Sequence, residues 1–172
     1  DRSLEMAARE ASLGLQEGAF AVAFMAMTLA TAPIADAQLG VHGPIAQTEA
    51  SHAFGGAAFT LTPEDLGKQG YLEEEFIVSG KANVYDWPAA GAVIRTADAP
   101  YATRVLVRRP KSKGKFSGRV VVEMLNPSNL MDLNIGWAIQ HDEIVRSGDA
   151  WVGITAKPIA VVTLKTFDPQ RY

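Results

Sequence analysis

The stretch FSGRVVVEMLNPSN, residues 116–129, decides how this chain is read. Val120, Val121 and Val122 are consecutive and β-branched, which favours extended backbone and predicts a strand covered on both faces. Glu123 interrupts the run, so burial on both faces is expected to stop near the strand's end. The chain then enters Asn126-Pro127-Ser128-Asn129, a short polar loop whose proline has no N–H to donate. Such a loop is either a turn that starts the next helix or the rim of a site. From spacing alone, the helix-starting turn is the simpler reading.

Downstream, residues 134–147 carry Ile135, Ala138, Ile139 and Val145 close to one helical face, with Asp142 and Arg146 spaced for an i,i+4 pair. Asp132 or Asn134 is placed to cap this helix, and Gly148 suits the left-handed position after it. Residues 150–155, AWVGIT, then read as a strand. Strand, loop, helix and strand form a βαβ crossover, which belongs in a parallel sheet.

Upstream, YLEEEFIVSGKANVYD (71–86) alternates Phe76 with Val78 and Ala82 with Val84, and Gly80 is the expected bend or bulge. Residues 92–95 and 101–109 read as two further strands, the second closed by Pro110. The connection KSKGKFSG leads from it into residues 119–125, so those two strands are expected to be antiparallel neighbours. In residues 38–70 no period is sustained, Gly55-Gly56 marks a loop, and Thr62 is placed to cap a short helical turn with Pro63 at its first position. The expected fold class is α/β, a mixed sheet in which an antiparallel hairpin feeds a βαβ unit.

Composition narrows the function. A chain of 172 residues with 48% hydrophobic and 20% charged residues is long and apolar enough for one folded domain. It has no cysteine, which rules out disulfides and thiolate zinc sites. Residues 1–37 hold two bases and five acids, leaving fourteen of each sign in the body, so net charge gives no support to a nucleic-acid partner.

The run AFAVAFMAMTLATAPIA, residues 19–35, is free of charge and is followed by Ala35-Asp36-Ala37, a small-x-small pattern with cleavage expected before Gln38. It is too short and alanine-rich for a stable membrane span. The residues ahead of it are acidic where an export signal is usually basic, and an ordinary buried helix is the alternative. Export to the periplasm or beyond is the expectation, with residues 1–37 as the signal and residues 38–172 as the domain.

His42, His52 and His141 are not spaced as ligands, and adjacent helical positions such as His141 and Asp142 point in different directions. No metal and no cofactor are expected. Glu73, Glu74 and Glu75 read as a solvated acidic run. The bases from Arg104 to Arg119 read as a charged hairpin guarding a sheet edge, since no aromatic residues interleave with them as single-strand binding favours.

Five segments occurring in order, GYLEEEFIVSGKANVYDW (70–87), ADAPYATRVLVRRP (97–110), FSGRVVVEMLN (116–126), WAIQHDEIVRSGDAWVGITAKP (137–158) and LKTFDPQRY (164–172), resemble a bacterial family of α/β-hydrolase-domain proteins. The resemblance implies a hydrolase fold, frequent export, and a serine nucleophile on a strand-to-helix elbow acting on a small ester-like substrate. It makes residues 120–125 the third strand of the hydrolase sheet, and Ser128 and Asn129 backbone donors of an oxyanion hole. The resemblance also implies a loop after the third strand that commonly contains glycine, where this chain has Asn126-Pro127-Ser128-Asn129-Leu130.

The chain contains no Gly-x-Ser-x-Gly, and Gly114-Lys115-Phe116-Ser117-Gly118 misplaces its serine. The expectation is therefore an amino-terminal part of an exported, esterase-like serine hydrolase, inactive by itself, whose nucleophile, acid and base lie elsewhere. In such a part the strand at 150–155 is expected to lack further parallel neighbours. The alternative is an exported binding or scaffold domain without catalysis.

Overall fold

A computed structural model describes residues 39–60 and 62–172. The export-signal reading of residues 1–37 lies outside the described residues. Alternating residues along YLEEEFIVSGKANVYD form β2 (Tyr71–Asp86), which pairs antiparallel with β3 (Val93–Pro110) along nearly its whole length. A short β1 (Gly40–His42) lies antiparallel on the far side of β2. The valine run forms β4 (Val120–Met124), followed by α1 (Ile135–Ser147), β5 (Ala150–Ile154) and α2 (Pro158–Phe167). The sheet order is β1-β2-β3-β5-β4, with β5 antiparallel to β3 and parallel to β4. The fold is thus a mixed α/β sheet, and β4–α1–β5 is the predicted βαβ unit.

Several local expectations are corrected. The strands at 101–109 and 119–125 are not neighbours, because β5 lies between them. Their connection is long for a hairpin and holds a 3-10 turn at Lys113–Lys115, so it crosses the end of β5 rather than folding back beside β3. Ser117 N–H donates to Gly148 O at 2.8 Å and pins that crossing. The Ser117 hydroxyl, and after it Arg119, hold the Asp149 carboxyl below its usual range against the opposing effect of burial. Consequently β5 has a partner on each side, and β4, like β1 at the other end of the sheet, has an outer edge unpaired among the described residues.

The two predicted strands at 92–95 and 101–109 are one continuous β3. Its irregularities fall opposite Ala82, Val84 and Tyr85, where Asp98 takes φ 51° and its N–H donates to Asn83 Oδ1 at 3.1 Å. Gly80 pairs in regular register with Tyr101 and is not the bulge. No helical turn starts at Thr62; Asp65 instead accepts from Lys68 N–H at 3.0 Å and shapes the turn leading into β2.

Beyond Ser79 and Thr103, the β2–β3 hairpin has no third strand among the described residues. Because β3 runs antiparallel to β5, this free arm extends past the carboxyl ends of β4 and β5. Its tip carries Trp87, 81% exposed, beside Tyr85, Val93 and Ile94.

The core lies between the sheet and α1, where Leu106, Leu125, Trp137, Ile144 and Trp151 pack with Tyr71 and Leu66. Trp137 and Trp151 meet edge to face at 5.6 Å. The Tyr71 hydroxyl donates to Ile144 O and Asp149 O, both at 3.0 Å, which ties the start of β2 to the last turn of α1. Burial, with Asp149 nearby, pushes this phenol's pKa up and keeps it a donor. Gly148 ends α1 in the left-handed region at φ 73°, as its position predicted.

The largest correction concerns charge. Glu75 and Arg108 are fully buried and Arg104 is 3% exposed, so neither the acidic run nor the basic one is simply solvated. Conversely, the valine strand is not covered on both faces: Val120, Val122 and Met124 are 53%, 60% and 62% exposed. Among the described residues no helix packs on their side of the sheet.

Candidate functional site at the carboxyl end of the parallel strands

In open α/β sheets, sites form beyond the carboxyl ends of the parallel strands. Here that end holds the loop after β4, the turn after β5 and the base of the hairpin arm. Asn126 and Leu133 exchange both backbone hydrogen bonds at 2.9 Å, which closes residues 126–133 into a pinned loop. Within it, Ser128–Leu130 forms a 3-10 turn, and Asn129 and Leu130 both take left-handed backbone, with φ of 61° and 64°. Non-glycine residues seldom adopt this conformation, least of all leucine, and successive amides in such a turn form a concavity that attracts anions. The loop thus reaches positive φ without a glycine at either position. α2 buttresses it, because the Thr163 hydroxyl donates to Leu130 O.

The two oxyanion candidates differ. Ser128 N–H is already engaged, donating to Asn126 Oδ1 at 2.7 Å in a side-chain turn. Asn129 lies in the left-handed part of the loop on the exposed surface. The N-terminus of α1 does not assist either, since its amides are spent on Glu123. Gly136 N–H and Trp137 N–H donate to the Glu123 carboxylate at 2.7 and 3.0 Å, and the Trp151 indole N–H donates to it at 2.9 Å. A Cβ on Gly136 would lie 2.7 Å from Glu123 Oε2, so this cap needs glycine there. Asn134 occupies the N-cap position without a side-chain bond to the helix, and Asp132 is buried elsewhere. The acid that interrupts the valine run is therefore the helix cap, supplied from the neighbouring strand.

Below this loop lies a belt of buried charge that sequence reading did not find. Arg104 pairs with Glu75 and, at 3.3 Å, with Asp132, and donates to Phe54 O. Glu75 also takes Arg171 Nε–H and, at 2.6 Å, the Tyr172 hydroxyl. Thr155 donates to Asp132 Oδ2, while Asp132 Oδ1 is buried without a partner among the described residues. Burial works against the Arg104 charge, but Glu75, Tyr172 and Asp132 outweigh it and raise its pKa. The Tyr172 phenol is pushed up to about 12, chiefly by burial. Arg108 lies between Trp137 and Trp151 at 4.5 and 4.9 Å and pairs with Glu73 at 2.8 Å.

His141 is half-buried against Trp137, and its Nδ1 has no partner among the described residues. His52 stacks on Phe59 at 3.5 Å, and His42 is exposed on β1. These positions bring neither His141 nor His52 to the loop at 126–133. No group of three metal-ligating side chains occurs among the described residues, and no helix there is long and apolar enough to cross a membrane.

A family model described as an alpha/beta hydrolase domain matches residues 41–172, and the chain belongs to that family. No curated protein and no solved structure matches it.

Proposed function

We propose that this chain supplies the amino-terminal part of an exported serine hydrolase that cleaves a small ester-like substrate. The observation that carries the proposal is the pinned loop at the carboxyl end of β4, with left-handed backbone at Asn129 and Leu130. In acyl transfer a serine attacks the carbonyl carbon, a histidine takes the serine proton, and preorganised N–H groups hold the oxygen as it becomes negative. Backbone N–H groups of Ser128 and Asn129 would supply one side of that oxyanion hole; Ser128 must first release Asn126 Oδ1, which makes Asn129 the better donor. The nucleophile, acid and base are contributed by residues outside these 172, since no Gly-x-Ser-x-Gly occurs within them. The alternative, an exported binding or scaffold domain, keeps the sheet and dispenses with the chemistry.

A fluorophosphonate probe and p-nitrophenyl acetate separate the two readings. The complete gene product is expected to label on one serine and to hydrolyse the ester, while residues 1–172 alone do neither. Because the proposed donor is backbone, Asn129→Gly keeps the positive φ and is expected to retain most of the activity. A complete product with no labelled serine overturns the enzymatic reading. Amino-terminal sequencing of the mature protein, expected to begin at Gln38, tests export.

A further inference from the structure

Between α2 and the strands where the hairpin arm leaves the sheet lies a cavity of about 270 Å³. At the volume water occupies in the liquid, it has room for roughly nine molecules, so it suits a ligand of a few carbons. Its lining combines apolar side chains, Ile77 and Leu164 among them, with the cationic Arg104, Arg171 and Lys165. None of its lining residues is acidic.

The state of those polar groups suggests what fits. Arg104 is committed to Glu75 and Asp132. Arg171, with its side chain 1% exposed, gives Nε to Glu75 and Nη1 to Ala46 O at 2.9 Å. Its Nη2 is a buried donor without a hydrogen-bond partner among the described residues. A buried guanidinium donor left unpaired is unfavourable until an acceptor arrives. Lys165, exposed on α2, makes no ion pair among the described residues.

We infer that this cavity is a binding site for a short-chain monocarboxylate. The carboxylate is held by Lys165 and the unpaired Nη2 of Arg171, and its alkyl chain lies against Ile77 and Leu164. A bare inorganic anion leaves the apolar lining uncontacted, and an amine places like charges together. The inference is independent of ester hydrolysis, because it requires no nucleophile.

Isothermal titration of the 172-residue chain with sodium butyrate, butylamine, butan-1-ol and inorganic phosphate tests it. Butyrate is expected to bind saturably and tightest of the four. Lys165→Met, at an exposed helical position, is expected to weaken it by about fivefold, and Lys165→Arg to restore it. In labelled protein the Arg171 side-chain Nε–H resonance is expected to move with saturation. Butan-1-ol or phosphate binding as tightly as butyrate overturns the inference. So does a Lys165→Met variant of unchanged affinity, or an Arg171 resonance that stays still at saturating butyrate.

Discussion

On the α1 side of the sheet, Glu75, Arg104 and Arg108 are buried, the last of them against Trp137 and Trp151; on the opposite side, Val120, Val122 and Met124 stand more than half exposed. The difference is not one of residue hydrophobicity, which would assign the two faces the other way round. It comes from partners. Every buried arginine on the first face meets a carboxylate, and loops such as 54–55 bring carbonyl oxygens to further donors of Arg104 and Arg108. Val121 of β4 packs against the core on that first face, whereas Val120 and Val122 on the other are left open by the described residues. A strand's period tells which residues share a face, and only the neighbouring elements decide whether that face is inside.

The sharpest way to break this contrast is Arg104→Met, which leaves Asp132 buried beside no cation and Glu75 with Arg171 alone. Removing one member of a buried ionic cluster costs about 3–5 kcal/mol, read as a lowered urea midpoint. A loss below about 1 kcal/mol would mean that water reaches the belt and that the first face is not sealed. Glu123→Ala is the intermediate case. It strips the cap from two α1 amides and the partner from the Trp151 indole, for an expected loss of about 1–2 kcal/mol. An unchanged midpoint would show that solvent caps the helix equally well. The smallest effect is expected from Val122→Lys on the open face, within about 0.5 kcal/mol, with less self-association in sedimentation because β4 is an unpaired apolar edge. A loss of 2 kcal/mol or more there would reveal a covered face and erase the contrast.

The βαβ unit was legible because its signals are local: a β-branched run, an amphipathic period ending at Gly148, and a second apolar strand. The loop at 126–130 could be placed at the carboxyl end of β4 for the same reason. Strand order was not legible, since nothing in residues 111–118 states that β5, more than thirty positions on, fills the gap between β3 and β4. α2 went unread although Pro158 at its first turn is a fair start signal, because Ile159, Val161 and Val162 are β-branched and weaken the helical pattern. The charged belt was hidden by distance. Glu75 and Arg104 lie 29 positions apart, and Glu75 and Arg171 lie 96 apart, so each residue on its own reads as an ordinary surface charge.

That same spacing governs when the belt forms as well as what it holds. Arg171 reaches Ala46 across 125 positions and Tyr172 reaches Phe54 across 118, so these bonds close very long loops in the described chain. Loop closure must be met before such contacts return any stability, which places them late on the folding route, after the hairpin and the βαβ unit. Interactions absent from the folding transition state act on the unfolding rate. The belt around Glu75 is thus a latch fastened at the end of folding, and it sets how long the finished sheet stays shut.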